Sequence, residues 1–160
     1  MSDIIQQIET MTTRAVRDVF QNMLAIELTV EAPAPLPTDS EGQIIGSVGF
    51  LGDATGIIYL HSGVEFARVI TSRMLGIEQA EIENDGMVND AFGELSNMVV
   101  GFVKSRLCDS GRPCVLTIPS VVRGQRLSIT GTPNVTKRII GFRYDGHCLV
   151  AEVLLKETGE

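Results

Sequence analysis

Between Asp3 and Leu24 the apolar residues Ile4, Ile8, Met11, Ala15, Val19 and Met23 recur at helical intervals and predict a core-packing helix. The period then changes. "AIELTVEA" (Ala25–Ala32) alternates as a strand does, and "APAPLPTDSEG" (Ala32–Gly42) is a Pro-rich connector. Two β-rich runs follow, "GQIIGSVGFL" and "TGIIYLHS", joined by a short turn around "GDA" and predicting a hairpin. Ser62 and Glu65 have the spacing of a capping box, which would open a helix running to about Leu75 with Gly76 at its C-terminal end.

A polar stretch, "EQAEIENDG", leads into "NDAFGELSNMVVGFVKS" (Asn89–Ser105). This third helix should stop near Cys108, because Gly111 suits a left-handed cap and Pro113 blocks continuation. "CVLTIPSVV" and "QRLSITG" read as further β-rich pieces. "KRIIGFRY" and "HCLVAEVLL" form a second predicted hairpin around Asp145-Gly146, a favoured two-residue turn. The pattern predicts an α+β fold, with about three helices on one face of a largely antiparallel sheet of about six strands. No linker divides it, so residues 1–160 are expected to form a single domain.

Composition narrows the partners. The chain carries a net charge of −7 with a pI near 4.8, so it repels nucleic-acid backbones and anionic lipid surfaces. No apolar run approaches the roughly 20 residues a membrane span needs, and the N-terminus has no signal-peptide pattern. Three cysteines without a CxxC pair point to reduced thiols, and with only two distant histidines no zinc spacing is completed. A cytoplasmic protein without nucleic-acid or membrane partners, and without a metal of its own, is expected.

The helix at Asn89–Ser105 carries the candidate chemistry. At about 100° per residue, Glu94, Asn97 and Gly101 fall within about 40° of Asp90, while Phe92, Leu95, Val99 and Val103 gather on the other side. A solvated surface would explain such a stripe. Two of its members are nevertheless costly there: glycine at 101 loses up to about 1 kcal/mol against alanine, and the Asn97 amide competes for backbone groups. From Asn97 the helix runs on for about 16 Å, and a strand of about six residues returns about 20 Å, which brings Pro119 alongside Asn97. A proline there marks an edge or a bulge.

Asp90, Glu94 and Asn97, followed after 21 intervening residues by Pro119, resemble the signature of the CheC/CheX/FliY chemotaxis phosphatases. That signature is Asp or Ser, three residues, Glu, two residues, Asn, twenty-one residues, Pro. "GELSNMVVG" is similar to the family's motif helix and "GFLGDATGIIYLHS" to the hairpin before its middle helix, so the resemblance covers about Ile44 to Gly124 well. Some members carry the helix motif twice. The first helix here has no Glu three residues before Asn22, and the single site is most like the CheX branch.

The resemblance implies a CheC-like fold and a phosphatase that removes the aspartyl phosphate of a CheY-like response regulator. Asn97 would orient the attacking water, Glu94 would pair with the regulator's lysine, and Asp90 would tune docking. Gly101 would give clearance, Pro119 would shape the adjoining wall, and Lys104 would meet the regulator's acidic face. The same resemblance implies Mg²⁺ held by the regulator, no cofactor held by this chain, and a homodimer joined through its sheets. The alternative is a non-catalytic regulator-binding or flagellar-switch module of the same fold.

Other chemistries find less support. A glycosidase pair of Asp90 and Glu94 would lack sugar-stacking aromatics, since the chain has no Trp. Neither GxGxxG nor GxSxG occurs. His61 and His147 lie at a strand end and after a turn, where structural or solvent-facing roles are expected.

Overall fold

A computed structural model describes residues 2–32 and 35–156; Pro33 and Ala34 of the connector lie outside it. Three helices, α1 (Ser2–Leu24), α2 (Val64–Leu75) and α3 (Asp85–Asp109), accompany β1 (Thr29–Glu31), β2 (Gln43–Gly52), β3 (Gly56–Gly63), β4 (Cys114–Leu116), β5 (Ser120–Gly124), β6 (Val135–Tyr144) and β7 (His147–Lys156). The strands form one sheet in the order β1-β6-β7-β3-β2-β4, and β5 pairs with β2 on the same side as β4. Every pairing is antiparallel. The expected α+β architecture therefore stands, with seven strands.

Alternation builds two unlike faces. Ile44, Val48 and Phe50 of β2, Ile58 and Leu60 of β3, and Leu149, Ala151, Val153 and Leu155 of β7 point into a core shared with the helices. That core also takes Ile8, Phe20, Phe66, Phe92, Val99 and Val103 from the helix faces. On the other face Gln43 and Ile45 of β2, His61 of β3 and Glu152 of β7 are buried too. The segment after β5 lies against part of this face: the Leu127 amide donates to Gln43 Oε1, and residues 129–135 border a groove also lined by Ile57, Tyr59 and Leu154.

This explains why "QRLSITG" is not the expected strand. Its backbone bonds a side chain, and its apolar residues cover the sheet without pairing to it.

Glycine and turn signals act where they were expected. Gly76 closes α2 at φ 66°, Gly111 follows α3 at φ 82°, and Asp145-Gly146 turn the last hairpin at φ 44° and 81°. The capping box does not form: Gly63 is the N-cap of α2, and Ser62 Oγ donates to the Gly63 carbonyl. Asp39 Oδ2 accepts from the Glu65 amide at 2.8 Å instead, so a carboxylate from the Pro-rich connector caps the helix. The strand expected over Ala25–Ala32 forms only at Thr29–Glu31.

On the covered face, His61 Nε2 and Lys137 Nζ each lie 2.8 Å from one oxygen of Glu152. Burial pushes the Glu152 carboxyl up, but the bonds and charges of these two partners outweigh it and leave the group below its ordinary value. Tyr59, opposite Glu152 in the sheet, is pushed up by burial and by that carboxylate. His61 is thus structural, and His147 stacks on Phe66 with ring centroids 4.8 Å apart.

Candidate active site: the outer ridge of α3 and the strand beside it

Asn84 caps α3, its side chain accepting from the Met87 amide. The helix then presents Asp90 and Glu94 exposed, with Asn97, Gly101 and Lys104 half-buried. Among the described residues no side chain hydrogen-bonds or ion-pairs with Asp90, Glu94 or Asn97. Donors and acceptors that serve no internal purpose line one ridge. A Cβ added at Gly101 would meet nothing within 4 Å, so nothing in the chain's own packing requires glycine there.

The opposite side of α3 is held very close to the sheet. A Cβ on Gly46 would lie 2.1 Å from Ser96 Oγ, and one on Gly93 would lie 3.3 Å from Val121. Ser96 is buried and returns its hydroxyl proton to the Phe92 carbonyl. Small residues on both elements thus set the depth at which Asn97, the next residue, rides above the sheet. Sequence reading missed this contact, although Gly93 and Ser96, three apart on one helix face, carried the signal of a close approach.

A running register fixes where the strand passes the helix. Arg123 Nε donates to Asn89 Oδ1 at 2.6 Å, with Asp85 3.6 Å from its Nη1. Val121 meets Gly93. Farther along, β4 packs against α3; there burial pushes the Cys114 thiol up, the Cys108 thiol adds to this and the Lys104 ammonium opposes it. Two strand residues advance about 6.6 Å and four helical residues about 6 Å, so Pro119 falls level with Asn97 between these anchors.

Pro119 lies in a break between β4 and β5. Leu116 pairs with Phe50, and Ser120 pairs with Ser47. Thr117 takes Gly49 twice: its amide donates to the Gly49 carbonyl at 2.9 Å, and its Oγ1 accepts from the Gly49 amide at 2.8 Å. Ile118 and Pro119 are left opposite Val48 alone, the two-against-one arrangement of a β-bulge. The expected edge or bulge is a bulge.

Among the described residues no group of three or more His, Cys, Asp or Glu is arranged to hold a metal ion, and no helix is long and apolar enough to cross a membrane. What the ridge can do is donate to, and accept from, something brought to it.

Residues 44–143, more than half of the chain, match the family model described as chemotaxis phosphatase CheX. The chain belongs to that family, and its chemistry is that of a phosphatase. It is 27% identical over 117 residues to the CheY-P phosphatase CheX of Thermotoga maritima, covering 72% of this chain and 74% of that protein. The crystal structure of CheX from Vibrio vulnificus is similar with a TM-score of 0.80 and 25% identity, over 93% of this chain and 96% of that one. CheX in the CheX–CheY–BeF₃–Mg²⁺ complex of Borrelia burgdorferi shares the fold, with a TM-score of 0.76 and 20% identity over 92% and 97% of the two chains.

Proposed function

We propose that this chain hydrolyses the aspartyl phosphate of a CheY-like response regulator by inserting Glu94 and Asn97 into the regulator's phosphorylation site. The observation that carries this reading is the ridge itself: among the described residues no side chain hydrogen-bonds or ion-pairs with Asp90, Glu94 or Asn97, which share one face of α3. The Thermotoga relative is a CheY-P phosphatase, and the Borrelia relative is found in complex with CheY, which supports the choice of partner.

An acyl phosphate asks little covalent chemistry of its catalyst. Water attacks phosphorus, the bond from phosphorus to the aspartyl oxygen breaks, and the carboxylate leaves as the electron pair's acceptor. What is needed is a water held in line and an approach fixed in space. The Asn97 amide supplies one acceptor and one donor set to a single water. Glu94 pairs with the regulator's lysine, and Asp90 borders the contact. Gly101 leaves clearance for the regulator's backbone, and Lys104 faces its acidic surface. Mg²⁺ belongs to the regulator's carboxylates in this reading, and two copies of the chain associate through their sheets.

The test is loss of phosphate from a purified, phosphorylated CheY-like regulator. Added protein should accelerate the decay, and Asn97→Ala should remove about 10²-fold of that acceleration while leaving binding within a few-fold. Acceleration that survives Asn97→Ala would sink the water-orienting role. Binding with no acceleration by the parent chain would favour the non-catalytic module.

A further inference from the structure

The bulge presents an apolar side chain that the chain itself does not use. Ile118 is 85% exposed, the most exposed large hydrophobic residue among those described. It is not there through looseness. Thr117 fixes the preceding residue to Gly49 through two hydrogen bonds, and the fixed ring of Pro119 follows it. Ile118 lies in the connection between β4 and β5, the two strands that pack beside α3, three residues before Val121, which lies against Gly93 of that helix.

We infer that Ile118 is an apolar anchor for the phosphorylated regulator, seated in a nonpolar patch beside that protein's phosphorylation site. This rests on the reading proposed above and adds to it a determinant of affinity outside the polar stripe. The occupant follows from position. Anything whose phosphorylated aspartate reaches Asn97 must also cover the residue next to Pro119. The polar stripe supplies orientation but little binding free energy, because its groups trade water for protein partners. An isoleucine already held in place loses almost no further freedom on burial, so its surface adds to affinity directly. It touches no reacting atom, and its contribution is to binding alone.

The experiment uses a purified CheY-like regulator loaded with beryllofluoride for binding, and the phosphorylated regulator for turnover. Ile118→Ser should weaken binding about ten- to hundredfold, as expected for removing one fully buried aliphatic side chain. KM should rise with it while kcat at saturating regulator stays unchanged. Ile118→Leu should restore affinity to within about twofold, since hydrophobic contact and volume are kept. Leu75→Ser, at the end of α2 where the side chain is 50% exposed, should leave both unchanged and serves as the control for general loss of surface hydrophobicity. Parent-like binding by Ile118→Ser overturns the anchor and leaves the phosphatase reading standing. A parent chain that fails to bind the loaded regulator removes both. A fall in kcat without a rise in KM also overturns the anchor, because it would place Ile118 in the chemical step.

Discussion

Ser96 and Asn97 are neighbours in α3 with opposite duties, and only one of them is legible in the sequence. Asn97 stands out because an amide in a helix interior is unfavourable, and two further motif residues, Asp90 and Glu94, repeat its face. Ser96 does not stand out. Its hydroxyl can return to the Phe92 carbonyl whether the residue is buried or exposed, and its contact, Gly46, lies 50 positions earlier in the chain. Gly46→Ala should therefore destabilise the fold by about 1–3 kcal/mol, because the new methyl overlaps Ser96 Oγ and crowds the Phe92 ring. Adding Ser96→Ala should recover part of that loss, which thermal unfolding of the two single variants and the double variant would show. Gly101→Ala has the opposite sign for stability. The methyl enters open space and should stabilise the helix by up to about 1 kcal/mol, a rise of about 2–4 °C in Tm, while slowing regulator dephosphorylation. A variant that gains stability and keeps full activity would remove the clearance role.

At the scale of elements, legibility follows the range of the interaction. Gly76, Gly111 and Asp145-Gly146 end helices and turn strands by their own backbone freedom, so local sequence announces them. The cap of α2 is supplied by Asp39, 26 residues before the amide it accepts from, and no local spacing reveals it. Arg123 is the same kind of residue. It ties the first turns of α3 to β5 through Asn89, and its pair with the exposed Asp85 adds little in solvent. Arg123→Ala should cost about 1–2 kcal/mol through the lost bond to Asn89 and the amide left unpaired. Hydrogen exchange should then report faster opening of the amides after Asn84 than of those near Val103, locating the loss at the start of the helix. Equal protection at both ends would mean that Arg123 does not hold this turn.

For the whole molecule, the two-faced sheet was foreseen on one side only. The β-rich runs and the helical stretches together predict helices on one face of the sheet, but a buried His61–Glu152 pair on the other face, joined by the exposed Lys137, has no periodic signature. Glu152 gives the fold a specific acid sensitivity. Its carboxyl sits below the ordinary value of 4.5, so the charged form is favoured by folding and its stabilisation is fully present above that pH. The contribution fades as pH falls from 4.5 toward the lowered value. Glu152→Gln should lower stability at neutral pH and flatten this part of the acid-unfolding curve; a parallel curve would remove the assignment.

The bulge has one more consequence, for how copies of the chain could add to one another. On the β4–β5 side, Pro119 lacks an amide proton and the extra residue breaks the spacing, so an incoming strand finds no continuous ladder. At the other end β1 covers only Gly141–Arg143 of β6, and among the described residues no strand covers the rest of that edge. Growth by strand addition is thus polar. Two copies meeting edge to edge at β6 would use up the one receptive border and leave a blunted border at each end, so sedimentation should find assembly stopping at two rather than extending into filaments.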